Sequence, residues 1–119
     1  MQENDKAVLI YATFPDLAVA EAEGTILVER GLAACVNILP GMVSIYVWNG
    51  ERHRDAEVVM IIKTRRGLAA RVVADVRARH PYENPALVVL PVEGGSEPFL
   101  DWIARQTAGG PPVRPAAGD

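Results

Sequence analysis

One cysteine and two histidines supply the thiolate and imidazole metal ligands in this 119-residue chain. They are Cys35, His53 and His80. A tetrahedral soft-metal shell needs about four donors, so one chain cannot close such a shell from these residues; neighbouring copies or added oxygen ligands must complete it. Each of the three also has a plainer role. Cys35 alternates with Val36 and Ile38 and so faces away from them, where it serves either as a small buried hydrophobe or as a soft thiolate ligand. His80 stands where a helix must stop before Pro81, so its imidazole either meets the last helical carbonyls or is free for ligation and proton-linked binding. His53 lies in a polar run and reads as a solvated loop residue.

Glu57 and Lys63 are an even number of residues apart and therefore share one sheet face, flanking Val59 and Ile61. A polar pair in that setting suggests a partly buried ion pair or a ligand cleft. Trp48 and Tyr82 read as packing anchors at a subunit junction, and Arg65-Arg66 as a solvated turn with some capacity to meet an anion. No Gly-rich phosphate loop ending in Lys-Ser/Thr, no Gly-x-Ser-x-Gly elbow and no Cys-x-x-Cys pair occurs. Nucleotide hydrolysis by such a loop, serine acyl transfer and a structural zinc site thus lack support. A formal net charge of −3 offers no basic footprint for nucleic acid or an anionic membrane surface. A single cysteine excludes an intrachain disulfide framework, and Met1-Gln2-Glu3-Asn4-Asp5 does not open like a signal peptide, so the cytoplasm is the expected compartment.

The elements that must position these residues are organised around an uncharged run from Gly31 to Gly50. Pro40-Gly41 at its centre and Val, Ile, Tyr and Trp in its second half mark strand, kink and strand rather than a membrane helix. Extended from Ala33 to Trp48 it would reach roughly 50 Å, more than the diameter of about 35 Å that a compact domain of this size allows. The strand overshoots its own domain and calls for a second subunit to cover it. Around it the pattern predicts a strand over Ala7–Phe14, a helix over Leu17–Arg30 with Ala20, Gly24, Leu27 and Val28 inward and Glu23 among the outward positions, and a returning strand over Ala56–Thr64 after a polar loop from Asn49 to Arg54. A helix over Leu68–Arg79, a strand over Ala86–Val92 and a helix over Glu97–Thr107 capped by Ser96 complete residues 1–107; the tail 108–119 reads as disordered. The order βαββαβ plus a terminal helix is an α+β, ferredoxin-like plan, an antiparallel sheet with two helices on one face and the other face bare.

Ala34-Cys35-Val36-Asn37-Ile38, Pro40-Gly41, Ser44-Ile45-Tyr46, Trp48, Gly50, Glu57, Lys63-Thr64, the run His80-Pro81-Tyr82-Glu83-Asn84-Pro85 and Trp102-Ile103 together resemble the CutA divalent-cation-tolerance family. The resemblance covers nearly all of Lys6 to Thr107. It implies a PII-like homotrimer that binds copper and other divalent cations, with no known reaction. On this footing Cys35 and His80 are the candidate metal ligands, and Trp48, Glu57, Lys63, Tyr82 and Glu83 the candidates for an inter-subunit cleft. Arg52-His53 and Ala86 depart from the pattern, which usually has a carboxylate in each place; losing hard oxygen ligands and gaining an imidazole shifts the expected preference from magnesium-like ions toward copper or zinc. Two other readings remain: a PII-like regulator whose cleft takes a small metabolite or a protein, and an enzyme of unknown reaction using Glu57, Lys63 and His80.

Overall fold

The computed structural model describes residues 3–109. After a single 3₁₀ turn, β1 (Ala7–Phe14), α1 (Leu17–Glu29), β2 (Cys35–Trp48), β3 (Glu51–Arg65), α2 (Arg66–Arg79), β4 (Leu87–Pro91) and α3 (Glu97–Gln106) follow in order. The four strands form one sheet in the order β2-β3-β1-β4, antiparallel throughout. That is the expected ferredoxin-like arrangement. The tail beyond residue 109 lies outside the described residues.

Pleating decides which side chains meet the helices. Val8, Ile10 and Ala12 of β1 and Val58, Met60 and Ile62 of β3 point to one face and pack, with almost no exposure, against Ala20 and Leu27 of α1 and Val72 and Val76 of α2. The opposite face stays largely open. Leu39, Val88 and Leu90 are 50%, 49% and 43% exposed, and only its far end is covered, where Ile103 of α3 packs with Ala7 and Ala34 and Phe99 lies 5.2 Å from the ammonium of Lys63.

The polar run after Asn49 is not a loop. Trp48 pairs directly with Glu51 across Asn49-Gly50, both at positive φ (52° and 80°), the geometry of a two-residue type I′ turn. β3 therefore starts at Glu51, and His53 is a strand residue opposite Tyr46. Turn chemistry outweighed polarity here, because an edge ribbon with both faces wet accepts charged side chains. β2 and β3 form a long ribbon, interrupted by a bulge at Pro40-Gly41 between Leu39 and Met42.

A second departure concerns α1. Glu23, expected to face outward, is buried at 6% exposure, whereas Val28 packs against the core as expected. Arg79 at the end of α2 makes a two-pronged contact with the Glu23 carboxylate and a further bond, 2.8 Å, to Asp75. A buried carboxylate is tolerable when a guanidinium meets it in this way. Its partner lies 56 residues away, out of reach of helical periodicity.

Candidate functional site

The end of β1, the turn after α2 and the ribbon from Ser44 to Trp48 border a half-open cleft of about 820 Å³. Register places its polar groups. Met42 pairs with Glu57, Ser44 with Asp55 and Tyr46 with His53, so Asp55 and Glu57 stand on the open face beside the rings of the ribbon. The turn Pro81-Tyr82-Glu83-Asn84 closes the opposite side.

His80 fixes that turn. Its Nε2–H donates to the Thr13 carbonyl at 2.7 Å, while Nδ1 accepts the backbone N–H of Tyr82 at 3.1 Å, an arrangement that requires the neutral ring with hydrogen on Nε2. The imidazole stacks on Phe14 at 4.7 Å and touches Tyr82 at 4.8 Å between ring centroids. The Tyr82 hydroxyl then donates to Glu57 Oε2 at 2.7 Å, and across the cleft the Tyr46 hydroxyl donates to Asp55 Oδ2. Partial burial, then the Glu57 carboxylate, holds the Tyr82 phenol well above its ordinary value of 10.0. The bond to Asp55 likewise raises Tyr46.

Three carboxylates, Asp55, Glu57 and Glu83, and four aromatic rings, Tyr11, Tyr46, Trp48 and Tyr82, line the cleft, and among its described residues there is no lysine or arginine. The arrangement attracts cations and excludes anions. Both phenols already donate to carboxylates, yet an ionised carboxylate offers about four acceptor positions, so each keeps capacity for a bound cation.

Of the residues expected to form a cleft, Trp48, Glu57, Tyr82 and Glu83 come together here. Lys63 does not. It lies six residues from Glu57 on β3, roughly 20 Å along an extended strand, with its ammonium over Phe99; of the two readings for the pair, neither an ion pair nor a shared cleft is formed. Cys35 sits opposite Lys63 on the open face, half-buried and outside the helix-facing core. Thr13, which holds His80, pairs with Val59 of β3, so Cys35 and His80 belong to different ends of the sheet within one chain. Among the described residues no three of His, Cys, Asp and Glu converge to hold a metal ion.

Tyr46 and Asp55 were not foreseen from the sequence as cleft residues. The Asn49-Gly50 dipeptide carried the signal, since a two-residue turn fixes the register and puts Asp55 on the face of Glu57. The Arg65-Arg66 pair is engaged within the chain: Arg65 Nε donates to the Thr107 carbonyl at 2.9 Å and Arg66 pairs with Glu3.

The family described as CutA1 divalent ion tolerance protein matches residues 8–106. The divalent-cation tolerance protein CutA of Thermus thermophilus is 42% identical over 103 residues, 87% of this chain and 98% of that protein. The chloroplastic CutA of Arabidopsis thaliana is 38% identical over 90% of this chain, which spans 60% of that longer relative, and comparable fractions of the other plant and mammalian relatives. Among solved structures, CutA of Xylella fastidiosa superposes with a TM-score of 0.84 at 36% identity, covering 86% of this chain and 98% of that one. CutA from Archaeoglobus fulgidus, described as periplasmic, gives 0.82 at 40% identity, covering 85% and 98%. With a matching family profile, full-length relatives and the same fold all in agreement, the chain belongs to the CutA1 divalent ion tolerance protein family.

Proposed function

We propose that the protein is a homotrimer that binds divalent metal ions, copper among them, and contributes to metal-ion tolerance without catalysing a reaction. The carrying observation is the cleft along the ribbon, which gathers Asp55, Glu57 and Glu83 with no lysine or arginine among its lining residues. Among the described residues one chain supplies too few converging ligands for a closed site, so donors from neighbouring subunits complete it. Cys35, only partly exposed on the open face, is the soft donor nearest to a neighbour's reach. For His80 to ligate, the ring must give up one of its two hydrogen bonds.

Family membership supports the divalent-cation reading, and the separation of Lys63 from Glu57 and His80 weighs against a shared acid-base centre. Titration calorimetry on chelator-stripped protein, with copper, zinc and magnesium in turn, tests it. Saturable copper binding, stronger than that of magnesium and weakened in Cys35→Ala, His80→Ala or the pair Asp55→Asn with Glu57→Gln, is the expected outcome. Absence of saturable binding overturns the reading. So does loss confined to His53→Ala, which would assign the signal to a surface imidazole.

A further inference from the structure

The same cleft carries an inference independent of metal. Inorganic ions do not need aromatic walls, yet Tyr46, Trp48 and Tyr82 stand beside Asp55, Glu57 and Glu83 in one cavity. We propose that the cleft also binds an organic cation, a protonated amine or guanidinium carried on an apolar body.

Three features favour that class. Its volume of about 820 Å³ lies within the roughly 300–1,000 Å³ typical of small-molecule sites. Its charge is one-sided, three carboxylates with no lysine or arginine, which selects against anions. Its rings are preorganised: Tyr82 is held by its hydroxyl bond to Glu57, by the His80 ring at 4.8 Å and by its backbone N–H on His80 Nδ1, while Tyr46 is tied to Asp55 and stacked on His53 at 5.2 Å. Electron-rich faces next to carboxylates suit a cation with an apolar stem, since the charge meets the oxygens and the ring quadrupoles while the stem covers the rings. Trp48, the best ring for such contacts, is 46% exposed in the single chain, so at a subunit junction it would form the wall that the ligand shares with the neighbouring copy.

The experiment uses the intact chain with excess EDTA, so that its outcome is separate from metal binding. Phenethylammonium and spermidine are titrated by calorimetry against two controls, the neutral phenethyl alcohol and the anionic phenylacetate. Saturable binding of at least one cation is expected, at least tenfold tighter than either control, with quenching of Trp48 fluorescence that is absent in Trp48→Phe. Glu57→Gln, which keeps an acceptor for the Tyr82 hydroxyl, should weaken the cation at least tenfold without changing the weak response to the alcohol. Equal binding of alcohol and ammonium overturns the proposal, as does unchanged affinity in Glu57→Gln. No binding, combined with Trp48 shielded from acrylamide in the assembled protein, also overturns it and assigns the cleft to a segment of a second copy.

Discussion

Tyr82 is the residue through which the parts of the cleft communicate, because its backbone is held by His80 and its hydroxyl by Glu57. Burial and that carboxylate raise its folded-state pKa above the unfolded value near 10. The folded form therefore binds the phenolic proton more tightly than the unfolded form. The resulting stability is fully present below pH 10 and is lost as the pH climbs from there toward the folded pKa. Tyr82 should ionise well above pH 10, later than the same residue in the unfolded chain, in a titration followed at 295 nm. In Tyr82→Phe the melting temperature should fall less steeply between pH 10 and 11.5 than in the parent. Identical alkaline profiles would show that Tyr82 ionises as freely folded as unfolded. At this scale the sequence was partly legible: Trp48, Glu57, Tyr82 and Glu83 could be named as cleft residues, whereas Asp55 and Tyr46 depended on a register that the polar run 51–54 concealed. The two ring nitrogens of His80 both find backbone partners, one of them on β1, 67 residues away, which no local pattern discloses.

Among the elements, hydrophobic period and turn chemistry specified the order and type of every strand and helix, while packing across the sheet settled what the period could not. Gly24 shows why. A Cβ there would lie 2.8 Å from Val36 Cγ2 and 3.3 Å from Met60 Sδ, so α1 sits on β2 and β3 at a distance only glycine permits. Alanine gains up to about 1 kcal/mol of helix propensity but forces a stiff β-branched neighbour to move, and overpacking of this kind costs about 1–3 kcal/mol. Gly24→Ala should therefore lower the denaturant midpoint by a net amount of about 1 kcal/mol, and a raised midpoint would mean that the helix can lift freely. The Glu23–Arg79 contact tethers α1 to the end of α2, next to His80. Arg79→Ala leaves a carboxylate buried without its partner, so chemical denaturation should register a loss of about 3 kcal/mol. Restoring much of that loss with Glu23→Gln in the same chain would identify the buried charge as its cause; no recovery would assign it to the lost arginine packing instead.

On the scale of the whole molecule, the chain is drawn out to 48 × 30 × 24 Å with a radius of gyration of 15.3 Å, against about 13 Å for a compact domain of this size. The ribbon accounts for the excess. A fourteen-residue β2 reaches about 46 Å at 3.3 Å per residue, so the overshoot expected from the uncharged run is present, and it leaves Ile45 and Val47 at 68% and 67% exposure. Ile45 and Val47 on one face of the ribbon, and Leu39, Val88 and Leu90 on the open face of the sheet, form two apolar surfaces that subunit contact would bury. If three copies do so, light scattering should give a trimer at micromolar concentration with no appreciable monomer, and raising the salt concentration should leave it intact because apolar contact is not screened. Trp48→Ala should weaken assembly by about 2 kcal/mol, as truncated aromatic anchors commonly do. The sharper test is Val47→Asp. The turn and the strand pairing of the ribbon survive such a change, since position 47 lies on the ribbon opposite Arg52 and is 67% exposed in the single chain. In an assembly that buries this position, however, the new carboxylate would be taken out of water with only its cross-strand neighbour Arg52 to meet it, and desolvating such a pair costs more than an apolar contact there. Folded monomer by circular dichroism and light scattering is the expected result. A persistent trimer would place the ribbon outside the interface and move subunit contact to the open sheet face alone.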